Sequence, residues 1–306
     1  MAYWNQRTVA KRVSCTGVGL HSGKPATLTL APASPDSGVC FVRRDLGVEI
    51  PAVAAQVVES TLSTSLGARG ARIATVEHVL SALTGMGVDN CRLEVDGPEI
   101  PVLDGSAAPF VYLIQEAGVR TQRVGKRFVV VQESVEAKDG DRLARVDPAR
   151  EMSIRFTADF NHPLITDQTF EFVFSDRIFA REVAPARTFC FLRDIERMKA
   201  AGLALGGSLD NAIVIDEFSI LNPGGLRFPD EFVRHKVLDA LGDLTLFGMP
   251  LIGRFTAHKS GHALNHALVS KVLAKEASYR VVRVTAEQEL EPLQIRLPAL
   301  GVPEAL

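Results

Sequence analysis

Apolar positions along the chain change period several times, and each change marks an element. Residues 7–13 and 26–31 alternate apolar with polar, which predicts strands. Gly17, Gly19, Gly23 and Pro25 punctuate the turn between them. Residues 39–43 form a further strand candidate. Val76, Val79, Leu80 and Leu83 then fall at i, i+3, i+4 and i+7, predicting an amphipathic helix over 75–83 with Thr75 as its N-cap. Residues 91–95 return to strand character, Asp96-Gly97 turns the chain before 100–103, and 107–116 reads as a helix ending near Gly118.

The second half follows the same plan. Strands are expected at 127–131, 154–160 and 170–174, and a helix at 194–201 runs into the glycine-rich stretch 202–207. A short apolar strand at 212–216 precedes a strong helix over 231–246 and another strand at 251–257. Val79-Leu80-Ser81-Ala82-Leu83 is echoed by Val237-Leu238-Asp239-Ala240-Leu241, each beside a histidine and before a glycine. The expectation is an α+β protein of two similar domains, 1–125 and 126–306, joined where Arg123 to Lys126 interrupt the pattern.

Composition narrows the chemistry. The 306 residues are 46% hydrophobic, enough for a full core, and a formal net charge of −2 gives no sign of a nucleic-acid-binding surface, though local basic clusters could still hold a phosphate. The opening residues lack a signal-peptide core, and no apolar run approaches the roughly 18 residues of a membrane span, so a soluble cytoplasmic protein is expected. Cys15, Cys40, Cys91 and Cys190 are widely spaced and form no Cys-x-x-Cys pair. Any metal must therefore be held by histidines and carboxylates.

His235 and Asp239 lie one turn apart on a single helix face, suited to two zinc positions, and Asp243 extends that ridge. Taken singly, this is also the pattern of an ordinary solvated face. Glu77 and His78 form a second polar pair off the apolar stripe of their own helix. If the two faces meet, His78, His235 and Asp239 supply three ligands and Glu77 sits beside the open position as a base. His258-Lys259-Ser260-Gly261-His262 follows an apolar strand, where His262 could act as acid or oxyanion partner with Asp243 holding it protonated. Arg187 to Phe191 reads on pattern alone as a capped helix start with core phenylalanines. Gly206-Gly207-Ser208 lacks the Gly-Lys-Ser/Thr ending of a nucleotide loop.

Five ordered segments carry a resemblance: Thr75 to His78, Ala186 to Phe189, Gly206 to Ala212, Arg234 to Leu244 and Lys259 to His262. Together with Gly17 to Gly23 they resemble the UDP-3-O-acyl-N-acetylglucosamine deacetylases, zinc enzymes of lipid A synthesis in Gram-negative bacteria. The resemblance implies zinc (Zn2+) on His78, His235 and Asp239, with iron(II) (Fe2+) able to replace it. It implies Glu77 as general base, His262 as protonated acid with Asp243 as its partner, and Thr188 assisting the oxyanion. Lys236, Phe160 and Phe189 would contact a UDP-linked acylated amino sugar. It further implies two domains, each a sheet with helices, whose helical layers pack together as a two-layer sandwich. An insert around 191–214 would form an acyl passage walled by Leu62, Ser63, Ala204, Gly207, Ser208 and Val214. A monomer is expected. The readings set against this are an amidohydrolase of another acylated substrate, a structural metal protein, and an inactive sugar-nucleotide-binding regulator.

Overall fold

The computed structural model describes residues 4–298; residues 1–3 and 299–306 lie outside it. Strands Val13–Val18, Pro25–Pro32, Val39–Arg43, Val48–Pro51 and Cys91–Val95 form one sheet, with the fifth strand inserted between the second and third. Only the third and fifth run parallel; the other pairs are antiparallel. Strands Val135–Asp139, Arg142–Asp147, Ser153–Ala158, Gln168–Val173 and Arg254–His258 form a second sheet with the same order and the same senses.

A parallel neighbour needs a crossover, and a helix supplies it by covering one face of the sheet. In chain order the helices are α1 (Glu77–Gly85), α2 (Ala108–Ala117), the single turn α3 (Asp176–Ile178), α4 (Leu192–Ala200), α5 (Glu231–Leu244) and α6 (His262–Ala274). α1 and α5 occupy matching places, each preceding the fifth strand of its sheet (after α5 the short strand Leu251–Ile252 intervenes), and α2 and α6 follow those strands. Buried apolar side chains of both sheets and of α1, α2, α5 and α6 form one continuous core. The chain is therefore a mixed α+β protein.

α1 and α5 are not amphipathic helices with a solvated side. Every residue of α1 except Thr84 is buried, and so is every residue of α5 except Arg234 and Lys236. The two helices pack against each other so closely that a Cβ on Gly242 would fall on the carbonyl of Glu77. The polar ridges that sequence alone allows to face water face each other.

Other expectations need correction. Thr75 does not cap α1: it sits at φ 58° and its hydroxyl donates to Glu99 at 2.9 Å, leaving Val76 at the cap position. Residues 189–191 are a strand, not a helix start; Phe189–Phe191 pairs in parallel with Ile213–Ile215 before α4 begins. The expected junction at 123–126 is not among these: it falls where one continuous strand, Val119–Val131, changes partner from Asn5–Val9 to Tyr279–Val284. The expected strand 251–257 is two, because Gly253 lies against Val131 and the Asp147 carbonyl and lets the chain change sheets.

Candidate metal centre

α1 and α5 bring His78, His235 and Asp239 together, with one ligand atom from each lying within 4.8 Å of the others. The imidazole rings of His78 and His235 stand edge-on, centroids 5.1 Å apart. Their Nε2 atoms lie 3.6 and 3.2 Å from Asp239 Oδ1. All three residues are buried.

This set fits a cation. His235 Nδ1–H donates to the Ala186 carbonyl at 3.0 Å, so the Nε2 of the neutral ring carries a lone pair. Burial pushes His235 down to about 3, against the pull of Asp239, so the ring is neutral at ordinary pH. Among the described residues, Asp239 Oδ1 meets no hydrogen-bond donor although it is buried. Burial alone would raise its carboxyl, but the Lys236 ammonium helps to hold it well below the usual range. Acceptors thus converge on one point with no donor between them, an arrangement costly unless a cation sits there. The second oxygen of Asp239 is taken by Lys236 Nζ at 2.6 Å.

Glu77 and His262 flank this point. His262 Nε2 lies 3.8 Å from Glu77 Oε1 and 3.9 Å from Asp239 Oδ2. Its Nδ1 faces Asp243 Oδ2 at 3.0 Å. Burial opposes the charged ring, but Asp243 outweighs it and carries His262 up to about 9. Burial also raises the Glu77 carboxyl above its ordinary value, against the nearby His262 and His78. One group is thus kept protonated and one is made a stronger base within 4 Å of each other.

The sequence-predicted substrate residues divide into two groups. Phe160 and Phe189 meet edge to face with centroids 5.3 Å apart, and Phe189 lies 6.3 Å from the His235 ring and 5.9 Å from Lys236 Nζ. Thr188 sits one residue before Phe189, half-buried, its backbone N–H on Gly105 O and its carbonyl accepting from Ile213 N. Ala204, Gly207 and Ser208 belong to the segment after α4, which leans on Leu20 and His21 through the backbone N–H groups of Gly206 and Leu205. Val214 is buried on the strand beside them, while Ser63 is buried and Leu62 exposed just before Thr64. A separate, mostly apolar cavity lies at the C-terminal ends of α1 and α5, lined by Thr84, Leu244, Met249 and Phe174, and none of the site residues lines it.

A family model for UDP-3-O-acyl N-acetylglycosamine deacetylase matches residues 6–274. The UDP-3-O-acyl-N-acetylglucosamine deacetylase of Anaeromyxobacter sp. (strain Fw109-5) is 70% identical over 306 residues, all of both chains. That of Anaeromyxobacter dehalogenans (strain 2CP-C) is 68% identical over 304 residues, 99% of each. That of Myxococcus xanthus (strain DK1622) is 56% identical over 97% of this chain and 95% of its own. The chain belongs to this deacetylase family.

Around this cluster stand residues that sequence reasoning did not single out. Thr64 bonds both Glu77 and Asp243, which are 13 and 179 positions away in the chain. Asn265 donates to Asp243 Oδ2 at 2.8 Å and accepts from Ser260 Oγ at 2.7 Å. Asn265 stands one turn beyond His262 on α6, so helical spacing could have found it. Thr64 precedes a short strand and carries no local pattern. The Ala186 carbonyl and Gly242 act through backbone geometry alone, which residue type does not report.

Proposed function

We propose that this deacetylase hydrolyses the N-acetyl group of a UDP-linked, 3-O-acylated N-acetylglucosamine to the free amine and acetate, in lipid A biosynthesis. The observation that carries the reading is the buried His78, His235 and Asp239 cluster, with Glu77 and His262 facing each other beside it. Zinc bound by that set would supply a Lewis acid that polarises the acetamide carbonyl and acidifies water toward a pKa of about 7. Glu77 takes the proton of the attacking water as the C–O bond forms. The Thr188 hydroxyl and the charged His262 ring meet the oxyanion. His262 then delivers its Nε2 proton to the amine nitrogen as the C–N bond breaks and acetate leaves.

Asp243 stays ionised behind His262 and holds the ring with Nε2 forward. Lys236, Phe160 and Phe189 orient the sugar nucleotide, and residues 191–214, with Leu62 and Ser63, flank the acyl chain. Supporting the passage, no residue of α4 is buried, and the loop after it rests on the Leu20 and His21 backbone rather than on a core. The repeated sheet order supports reading 1–125 and 126–306 as two similar domains meeting through α1 and α5. The reading takes the enzyme to work as a monomer in the cytoplasm. Three protein ligands leave a coordination position open, whereas structural zinc is normally closed by four; this disfavours a structural role.

Glu77→Ala should retain one zinc per chain and lose about 10²- to 10⁴-fold in acetate release from UDP-3-O-acyl-N-acetylglucosamine. Near-parental turnover in that variant would remove Glu77 as the base.

A further inference from the structure

We propose that Thr64, together with Asn265, positions the base and the acid at once, so that one threonine sets the relative orientation of Glu77 and His262. The inference rests on the roles given to those two residues above.

Thr64 is fully buried, and its hydrogen bonds reach Glu77 on α1, Asp243 on α5 and His266 on α6. Its backbone N–H donates to Glu77 Oε2 at 3.0 Å, and its carbonyl accepts from Val76 N at 3.2 Å, tying it to the start of α1. Its hydroxyl lies 2.6 Å from Asp243 Oδ1, 3.1 Å from His266 Nε2 and 3.4 Å from His262 Nδ1. An ionised carboxylate only accepts, so the single hydroxyl proton goes to Asp243. His266 must then donate from Nε2 to the threonine oxygen.

The consequence is a division of oxygen atoms. Glu77 Oε2 is occupied by Thr64, leaving Oε1 free toward the reacting region. Asp243 Oδ1 takes the Thr64 hydroxyl and Oδ2 takes Asn265 Nδ2 at 2.8 Å, while His262 Nδ1 lies against both oxygens at 3.2 and 3.0 Å. The carboxylate is thereby held in rotation from both sides and presents its edge to His262. That points His262 Nε2 at Glu77 Oε1, 3.8 Å away. Without the hydroxyl, Asp243 loses one of its two holds and is left to Asn265, and His262 follows it, while Glu77 keeps its backbone donor. Thr64 touches neither substrate nor metal in this account; its hydroxyl acts on His262 through its short bond to Asp243, the direct contact at 3.4 Å being the longer one.

The test is a pair of double-mutant cycles on the zinc-loaded enzyme. Thr64→Val removes the hydroxyl and keeps shape and backbone. It should lower kcat about 10- to 100-fold, the effect of losing a hydrogen bond to a charged group, with KM within about two-fold and zinc content unchanged. Thr64→Ser should restore kcat to within about three-fold of the parent. In an Asp243→Ala background, Thr64→Val should cost less than about two-fold more, because the group it acts through is gone. Asn265→Ala should show the same dependence on Asp243, and it carries the test if Thr64→Val does not fold. Unchanged kcat in Thr64→Val, failure of serine to rescue, loss of zinc, or an equal penalty with and without Asp243 each overturns the proposal. The underlying reading fails on a different result, namely parental rates in both Glu77→Ala and His262→Ala.

Discussion

Two buried histidines that share an ordinary pKa of 6.5 are driven in opposite directions, His235 to about 3 and His262 to about 9. Burial lowers both, so their neighbours decide. His235 is pulled up by Asp239 but opposed by His78 and Lys236, and gives its Nδ1 proton to a neutral carbonyl, whereas His262 gives its own to Asp243 and has Glu77 and Asp239 beside it as well. The charged His262 therefore stabilises the fold fully below about pH 6.5, and that contribution is lost as pH rises through about 9. Activity should follow the same proton: kcat/KM rises as Glu77, raised by burial, becomes ionised, and falls through about pH 9 as His262 becomes neutral. Asp243→Asn removes the main group raising His262. A pH–rate profile of that variant should show the alkaline limb displaced to lower pH; an unmoved limb would separate it from His262.

At the scale of elements, the approach of α1 to α5 makes the ligand cluster. His235 and Asp239 share one face of α5, but His78 reaches them only because Gly242 lets α5 lie on the backbone of Glu77. Gly242→Ala places a methyl group on that carbonyl. It should destabilise the protein by about 1–3 kcal/mol, as overpacked cores do, and weaken zinc binding because His78 moves with α1. Thermal denaturation and zinc titration check both effects, and a variant as stable and as zinc-avid as the parent would show that the helices separate freely. The hairpin Val135–Asp139 and Arg142–Asp147 was readable at this scale and escaped notice. Gly140-Asp141 forms the two-residue loop between alternating runs, and Gly140 adopts φ 59°, as a glycine at the first central position of a tight hairpin turn does.

For the whole molecule, the ligand set joins distant parts of the chain, since His78 precedes His235 by 157 positions (235 − 78). An ion bound only by the folded chain stabilises it by mass action, about 2.7 kcal/mol at a free concentration 100-fold above Kd. Chelation should lower the melting temperature of the parent and restored zinc should raise it again. His78→Ala should respond to neither treatment over the same concentration range. Equal responses in both proteins, followed by calorimetry, would mean that the ion binds elsewhere.

Periodicity alone was enough to locate α1, α5 and most strands of both sheets, because burial of one apolar face writes a period of 3.6 or 2 into the chain. The spacing of His235 and Asp239 likewise follows from one helical turn. What periodicity could not say is that the polar ridges of α1 and α5 are buried, since a ridge facing water and one facing a metal look alike in one dimension. Thr75 looked like a cap and Phe189 like a helix start because local propensity was the only guide, and long-range pairing with Glu99 and Ile213 overrode it. The family resemblance supplied names for catalytic roles. Thr64 had no local signature at all, for its meaning lies in two carboxylates on different helices. Local patterns are determined by the chain's own repeat, but which buried acceptors converge, and what holds each oxygen atom, is decided only when α1, α5 and α6 pack together.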